Sequence, residues 1–82
     1  NYRIMTNVEK LAKVFADTFG ISEAETKGLQ YQGIEQWDSV GHMTLVAAIE
    51  DDFDIQLDTD DIIDMSSFEK AQEILAKYDI QF

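Results

Sequence analysis

Cysteine is absent from this 82-residue chain, which removes disulfide staples, cysteine metal sites and any thiol chemistry of the chain's own. A thiol, if the function needs one, has to be imported. Long apolar runs are missing too: none approaches the roughly 18 residues of a membrane span, and Asn1-Tyr2-Arg3-Ile4 lacks a signal-peptide core. A soluble, cytoplasmic protein is the expectation. Met5-Thr6-Asn7 reads as a natural start, which would make residues 1–4 upstream or vector-derived sequence.

The third scarcity is basic charge. Six Lys and Arg stand against 17 Asp and Glu, for a formal charge of -11, and residues 28–69 contain no Lys or Arg at all. Residues 1–27 and 70–82 each sum to zero, so the whole excess falls on Glu35, Asp38, Glu50, Asp51, Asp52, Asp54, Asp58, Asp60, Asp61, Asp64 and Glu69. Such a field repels nucleic-acid backbones and anionic membranes and speeds encounter with basic protein surfaces. Its plainest meaning is a solvated face.

What is present is enough to fold. With 45% apolar and 11% aromatic residues, the chain is too hydrophobic for a disordered acidic tail. Its length suits one domain, residues 1–82, that buries roughly 60–65% of its unfolded surface. A large enzyme with a deep cleft of its own is excluded.

Helical signals dominate. Thr6-Asn7-Val8-Glu9 has the form of a capping box, and Val8, Leu11, Ala12, Phe15 and Phe19 follow as one apolar stripe closed by Gly20. Residues 20–37 show no sustained period and read as a long loop pinned by Ile34 and Trp37. Asp38 is an N-cap for a helix from Ser39 to Phe53. On that helix Val40, Met43, Leu45, Val46, Ala47, Ile49 and Phe53 cover over half the circumference, which predicts a central position packed on several neighbours. Glu50, Asp51 and Asp52 collect at its C-terminal end, where the helix dipole disfavours them. Ile55-Gln56-Leu57 alternates like a fragment of strand, too short to form a sheet alone. Asp58 or Thr59 would cap a short helix from Asp60 to Met65 that presents Ile62 and Ile63. Ser66-Ser67-Phe68-Glu69 reads as a second capping box, opening a helix with Phe68, Ala71, Ile74, Leu75 and Tyr78 on one face. The predicted architecture is an all-α, four-helix bundle: three longer helices, a short third one, and a long loop between the first two.

Three candidate sites emerge. Asp58-Thr59-Asp60-Asp61 resembles the start of a calcium loop, but Ile62 and Ile63 occupy the fifth and sixth positions and Glu69 lies inside the next helix, so no metal site is expected. Asp38, Ser39 and His42 combine the residue types of a hydrolytic triad, yet no oxyanion hole or cleft is legible. Asp38 is better employed as a cap, and His42 as a surface or interface residue. Ser39 itself, first in its helix, projects a hydroxyl at the positive end of the dipole, where an attached phosphate would be favoured. Met43, Val46 and Glu50 follow it at i+4, i+7 and i+11, so a long group on Ser39 would run toward an apolar seam.

The run from Trp37 to Leu57, WDSVGHMTLVAAIEDDFDIQL, resembles the attachment motif and recognition helix of acyl carrier proteins. Asp38, Ser39, Phe53, Leu57 and Ile62 meet the family pattern at matching intervals, and the resemblance extends from the first helix to Tyr78. It implies a carrier without catalytic activity of its own, on whose Ser39, beside Asp38, a separate magnesium-dependent phosphopantetheinyl transferase places phosphopantetheine from coenzyme A. The imported thiol would hold acyl groups as thioesters. The resemblance further implies an acyl seam of Val40, Met43, Val46, Ala47, Ile62 and Ile63. It also implies a docking face of Asp38, Glu50, Asp51, Asp54, Asp58, Asp60 and Asp61, which would meet acyl-loading and acyl-transfer enzymes with basic surfaces. The carrier would be a monomer, with no nucleic-acid partner and no membrane insertion.

The chain departs from the family at Val40, where Leu is usual, and at Gly41 and Thr44, where carriers of fatty acid synthesis commonly have acids. The run Trp37-Asp38-Ser39-Val40-Gly41-His42-Met43 looks more like free-standing bacterial carriers of specialised pathways, polyketide-like or surface-glycan, than the housekeeping carrier. An aminoacyl or peptidyl carrier of the same fold, and an acidic helical interaction module without a prosthetic group, are the alternatives.

Overall fold

The computed structural model describes residues 5–82; the reading of residues 1–4 as upstream sequence lies outside them. Among the described residues the chain is all-helical, with α1 at Asn7–Phe19, α2 at Ser39–Phe53, α3 at Thr59–Asp64 and α4 at Phe68–Ala76. A single 3-10 turn, Glu23–Thr26, interrupts the connection between α1 and α2. No helix among these residues is long and apolar enough to cross a membrane.

Local chemistry fixes the ends of α1. The Thr6 hydroxyl accepts from the Glu9 N–H while the Glu9 carboxylate accepts from the Thr6 N–H, and Gly20 closes the helix at φ 69°. That left-handed φ carries no steric cost for glycine. The buried face is wider than the expected stripe: Leu11, Ala12, Val14, Phe15, Ala16 and Phe19 are inside. Val8 is exposed and lies on a groove beside the 3-10 turn.

The core is aromatic at its centre. Phe15 meets Phe19, Trp37 and Phe68 edge-on at 6.0, 5.4 and 5.1 Å between ring centres, and Trp37 stacks on Phe19 at 5.4 Å. Edge-to-face and offset pairs of this kind add about 0.5–1.5 kcal/mol beyond area burial. Trp37, together with half-buried Ile34, does pin the long loop, and Trp37 is wholly buried. The loop acquires order of its own from Ser22 and Glu25: the Ser22 N–H and hydroxyl both donate to the Glu25 carboxylate at the start of the 3-10 turn.

Three expectations are corrected here. Helix α2 is not buried on several sides: Leu45, Val46 and Ile49 face the core, while Val40, Met43 and Ala47 are exposed. Ser67, not Ser66, caps α4 by accepting from the Lys70 N–H, and Glu69 instead accepts from the Gly28 N–H 3.0 Å away. Ile55-Gln56-Leu57 is no strand; the Leu57 N–H donates to the Glu50 carboxylate at 2.9 Å. Among the described residues one bridge of β type forms, joining Gln30 to Ser67, with Tyr31 N–H donating to the Ser66 carbonyl and Phe68 N–H to the Leu29 carbonyl. It sews the long loop to the junction between α3 and α4.

Candidate functional site around Ser39

Asp38 is extended, at φ -102° and ψ -168°, and its carboxylate accepts from the Gly41 N–H at 2.8 Å. This N-cap starts α2 at Ser39, which is exposed and whose hydroxyl makes no hydrogen bond to another described residue. Ser39 therefore stands at the positive end of a 15-residue helix with its oxygen uncommitted.

Beside it lies a groove of ≈ 400 Å³ lined by Tyr31, Ser39, His42, Met43, Ile62, Ile63, Met65 and Ser66. The size is at the lower end of that of small-molecule sites. Of the six residues expected to form an apolar seam, Met43, Ile62 and Ile63 line this groove. Val46 is packed in the core, and Val40, 74% exposed, and Ala47 lie outside the groove. The difference follows from the rotation of α2, which turns Val46 inward. Tyr31 and Ser66 carry no local signal of the site, since the Gln30–Ser67 bridge brings them in from the middle of the long loop and from the segment that follows α3.

His42 joins the groove to the core. The Trp37 indole N–H donates to its Nδ1 at 2.9 Å, and its Nε2 lies 2.7 Å from the Ile62 carbonyl oxygen. An indole N–H can only donate, so Nδ1 is the acceptor and the ring's proton is assigned to Nε2, which donates to Ile62. The imidazole lies nearly coplanar with the Trp37 indole, ring centres 6.2 Å apart, as the bond between them requires, and meets Tyr31 edge-on at 5.6 Å. Both nitrogens are thus committed away from Ser39, and the Asp38 carboxylate is committed to Gly41. Asp38, Ser39 and His42 do not form a hydrolytic relay.

The acids expected on a docking face divide. Asp51, Asp54, Asp58 and Asp60 are exposed and take part in no ion pair among the described residues. Glu50 is half-buried and spans the turn to Leu57. Asp61 is turned inward, 7% exposed, with its carboxylate on Lys77 Nζ and on the Tyr78 hydroxyl. The hydrogen bond from Lys77, then that from Tyr78, holds the Asp61 carboxyl below its ordinary range against the opposing effect of burial, and the same contact raises Lys77. On Tyr78 the Asp58 N–H acts to lower the phenol, but Asp61 and burial prevail and raise it. Asp61 is a structural tie between α3 and the end of α4, not part of an open docking face.

Comparison of the chain with protein-family models, with curated proteins and with solved structures returned no match.

Proposed function

We propose that this chain is an acyl carrier protein of the free-standing type, working as a cytoplasmic monomer, with its four helices forming the carrier bundle. The observation that carries this reading is Ser39: an exposed, uncommitted hydroxyl at the start of α2 and on the lip of an apolar groove, inside the sequence run that resembles the carrier attachment motif.

The residues present fit a phosphopantetheine arm. The Ser39 oxygen would bond to the arm's phosphorus, losing its proton as the coenzyme A pyrophosphate bond breaks and adenosine bisphosphate leaves, in a reaction run by a separate transferase. The α2 amides and dipole favour a phosphate at that oxygen. The Asp38 carboxylate, already satisfied by the Gly41 N–H, leaves the Ser39 side of the turn open. When attached, the arm supplies the thiol on which acyl groups are held as thioesters. Met43, Ile62 and Ile63 offer an acyl chain an apolar surface, and Asp51, Asp54, Asp58 and Asp60 present charge to basic partner enzymes.

The test is incubation of the full chain with coenzyme A, magnesium and a promiscuous phosphopantetheinyl transferase, read by intact mass. The expected result is a gain of one phosphopantetheine on the native chain and none on Ser39→Ala. No gain, or a gain that survives Ser39→Ala, overturns the reading. Loading of the modified protein by acyl-transferring but not adenylating enzymes separates an acyl from an aminoacyl carrier.

A further inference from the structure

We propose that His42 is a latch: by holding Trp37 and the Ile62 carbonyl at once, it keeps α3 closed against α2 and limits how far an apolar ligand enters the groove.

The two ends of the latch differ in rigidity. Trp37 is wholly buried and clamped by Phe15 and Phe19, so the Nδ1 side of His42 is anchored in the core. Ile62 belongs to a six-residue helix whose N-cap residue, Asp58, makes no side-chain capping bond. A helix so short has little stability of its own. The Ile62 carbonyl is among the last four of α3, which have no partner within the helix. His42 supplies that partner, and this is the one hydrogen bond between α2 and α3 among the described residues.

The other ties of α3 lie toward the C-terminal end of α4. Asp61 is held by Lys77 and Tyr78, and the Asp58 N–H donates to the Tyr78 hydroxyl at 2.9 Å. With one edge fastened to α4 and the other held by one hydrogen bond, to His42, and by the packing of half-buried Ile62, α3 opens by releasing His42 and pivoting on the Tyr78 side. Ile62 and Ile63, the latter 73% exposed, form one lip of the groove and Met43 the other. Opening would widen the groove toward Met65, which is 1% exposed in the closed form.

The limit on ligand entry rests on the carrier reading; the latch itself does not. Amide hydrogen exchange is therefore measured on the full, unmodified chain and on His42→Leu and His42→Gln. His42→Leu, which loses both hydrogen bonds, should speed exchange in residues 59–64 about tenfold relative to α1 and α4. His42→Gln keeps an acceptor and a donor and should fall between. Nile red, a neutral apolar probe, should bind His42→Leu more tightly than the native chain. Unchanged exchange in α3, acceleration shared equally by α1 and α4, or equal Nile red binding overturns the latch. If His42→Leu does not fold, His42→Gln and the imidazole nitrogen shifts of the native chain decide, an Nδ1–H tautomer excluding the geometry. Because no phosphopantetheine is involved, selective release of α3 in a chain that no transferase loads would remove the carrier reading and leave the latch.

Discussion

A β-carbon on Gly41 would lie 1.9 Å from the Gln36 carbonyl oxygen and 3.1 Å from its carbon. Helix propensity alone favours Ala there by up to about 1 kcal/mol, which makes Gly41 look like a weak point in the first turn of α2. The close approach reverses that sign. The obstructing atom is backbone, in a loop fastened by Gln32 N–H to the Trp37 carbonyl and by Trp37 N–H to the Ile34 carbonyl, so it has little room to give. Gly41→Ala is expected to destabilise the fold by about 1–3 kcal/mol through overpacking, measured by urea unfolding; increased stability would show that the loop yields. The same contact leaves a side chain at position 41 no space to leave the turn. Neither this approach nor the pair of hydrogen bonds made by His42 could be read from the sequence, because they depend on where the loop before α2 and α3 come to rest. Ser39 and its cap were legible because both are local.

At the scale of elements, what could be read was again what is settled within a few residues. The capping box of α1, its Gly20 stop and the Asp38 start of α2 stand at the expected positions. The cap of α4 was displaced by one residue because Glu69 binds Gly28, 41 positions away, and Asp61 left the expected docking face because Lys77 and Tyr78 claim it. That claim has a pH signature. A carboxyl held below its unfolded value stabilises the fold above the unfolded pKa, about 3.9, and this contribution is lost as pH falls through the lower folded value. Asp61→Asn should therefore lower Tm at neutral pH, and the gap to the native chain should narrow below about pH 4. Raised Lys77 gives the opposite limb: its contribution is complete below the unfolded lysine pKa and fades as pH rises through the folded value. The comparison must be a difference between the two chains, because acid also relieves repulsion among the remaining carboxylates. A gap that stays constant from pH 7 to pH 2.5 would show that the tie between α3 and α4 is not ionic.

Over the whole molecule that repulsion is the main electrostatic fact. Of the eleven acids in residues 28–69, Asp61 alone is in an ion pair among the described residues, and the rest share a body measuring 39 × 26 × 19 Å. At 0.01 M ionic strength the Debye length is about 30 Å, so nearly every acid feels nearly every other; at 0.15 M it is about 8 Å, and only close neighbours interact. The stretch Glu50, Asp51, Asp52 and Asp54 is such a neighbourhood, and it lies at the negative end of α2. Raising NaCl from 0.01 to 0.15 M should relieve about 1 kcal/mol of repulsion, or ~4–8 °C in Tm for a domain of this size. Magnesium should reach the same shift at lower concentration, since one divalent ion serves two carboxylates. The double variant Asp51→Asn/Asp52→Asn removes two exposed charges without touching Glu50, and its Tm should respond less to salt than that of the native chain. Both chains measured at pH 7 across that range give the test: a flat native profile would mean that folding does not feel the repulsion. An equal response in the two chains would place the repulsion elsewhere in the acidic segment.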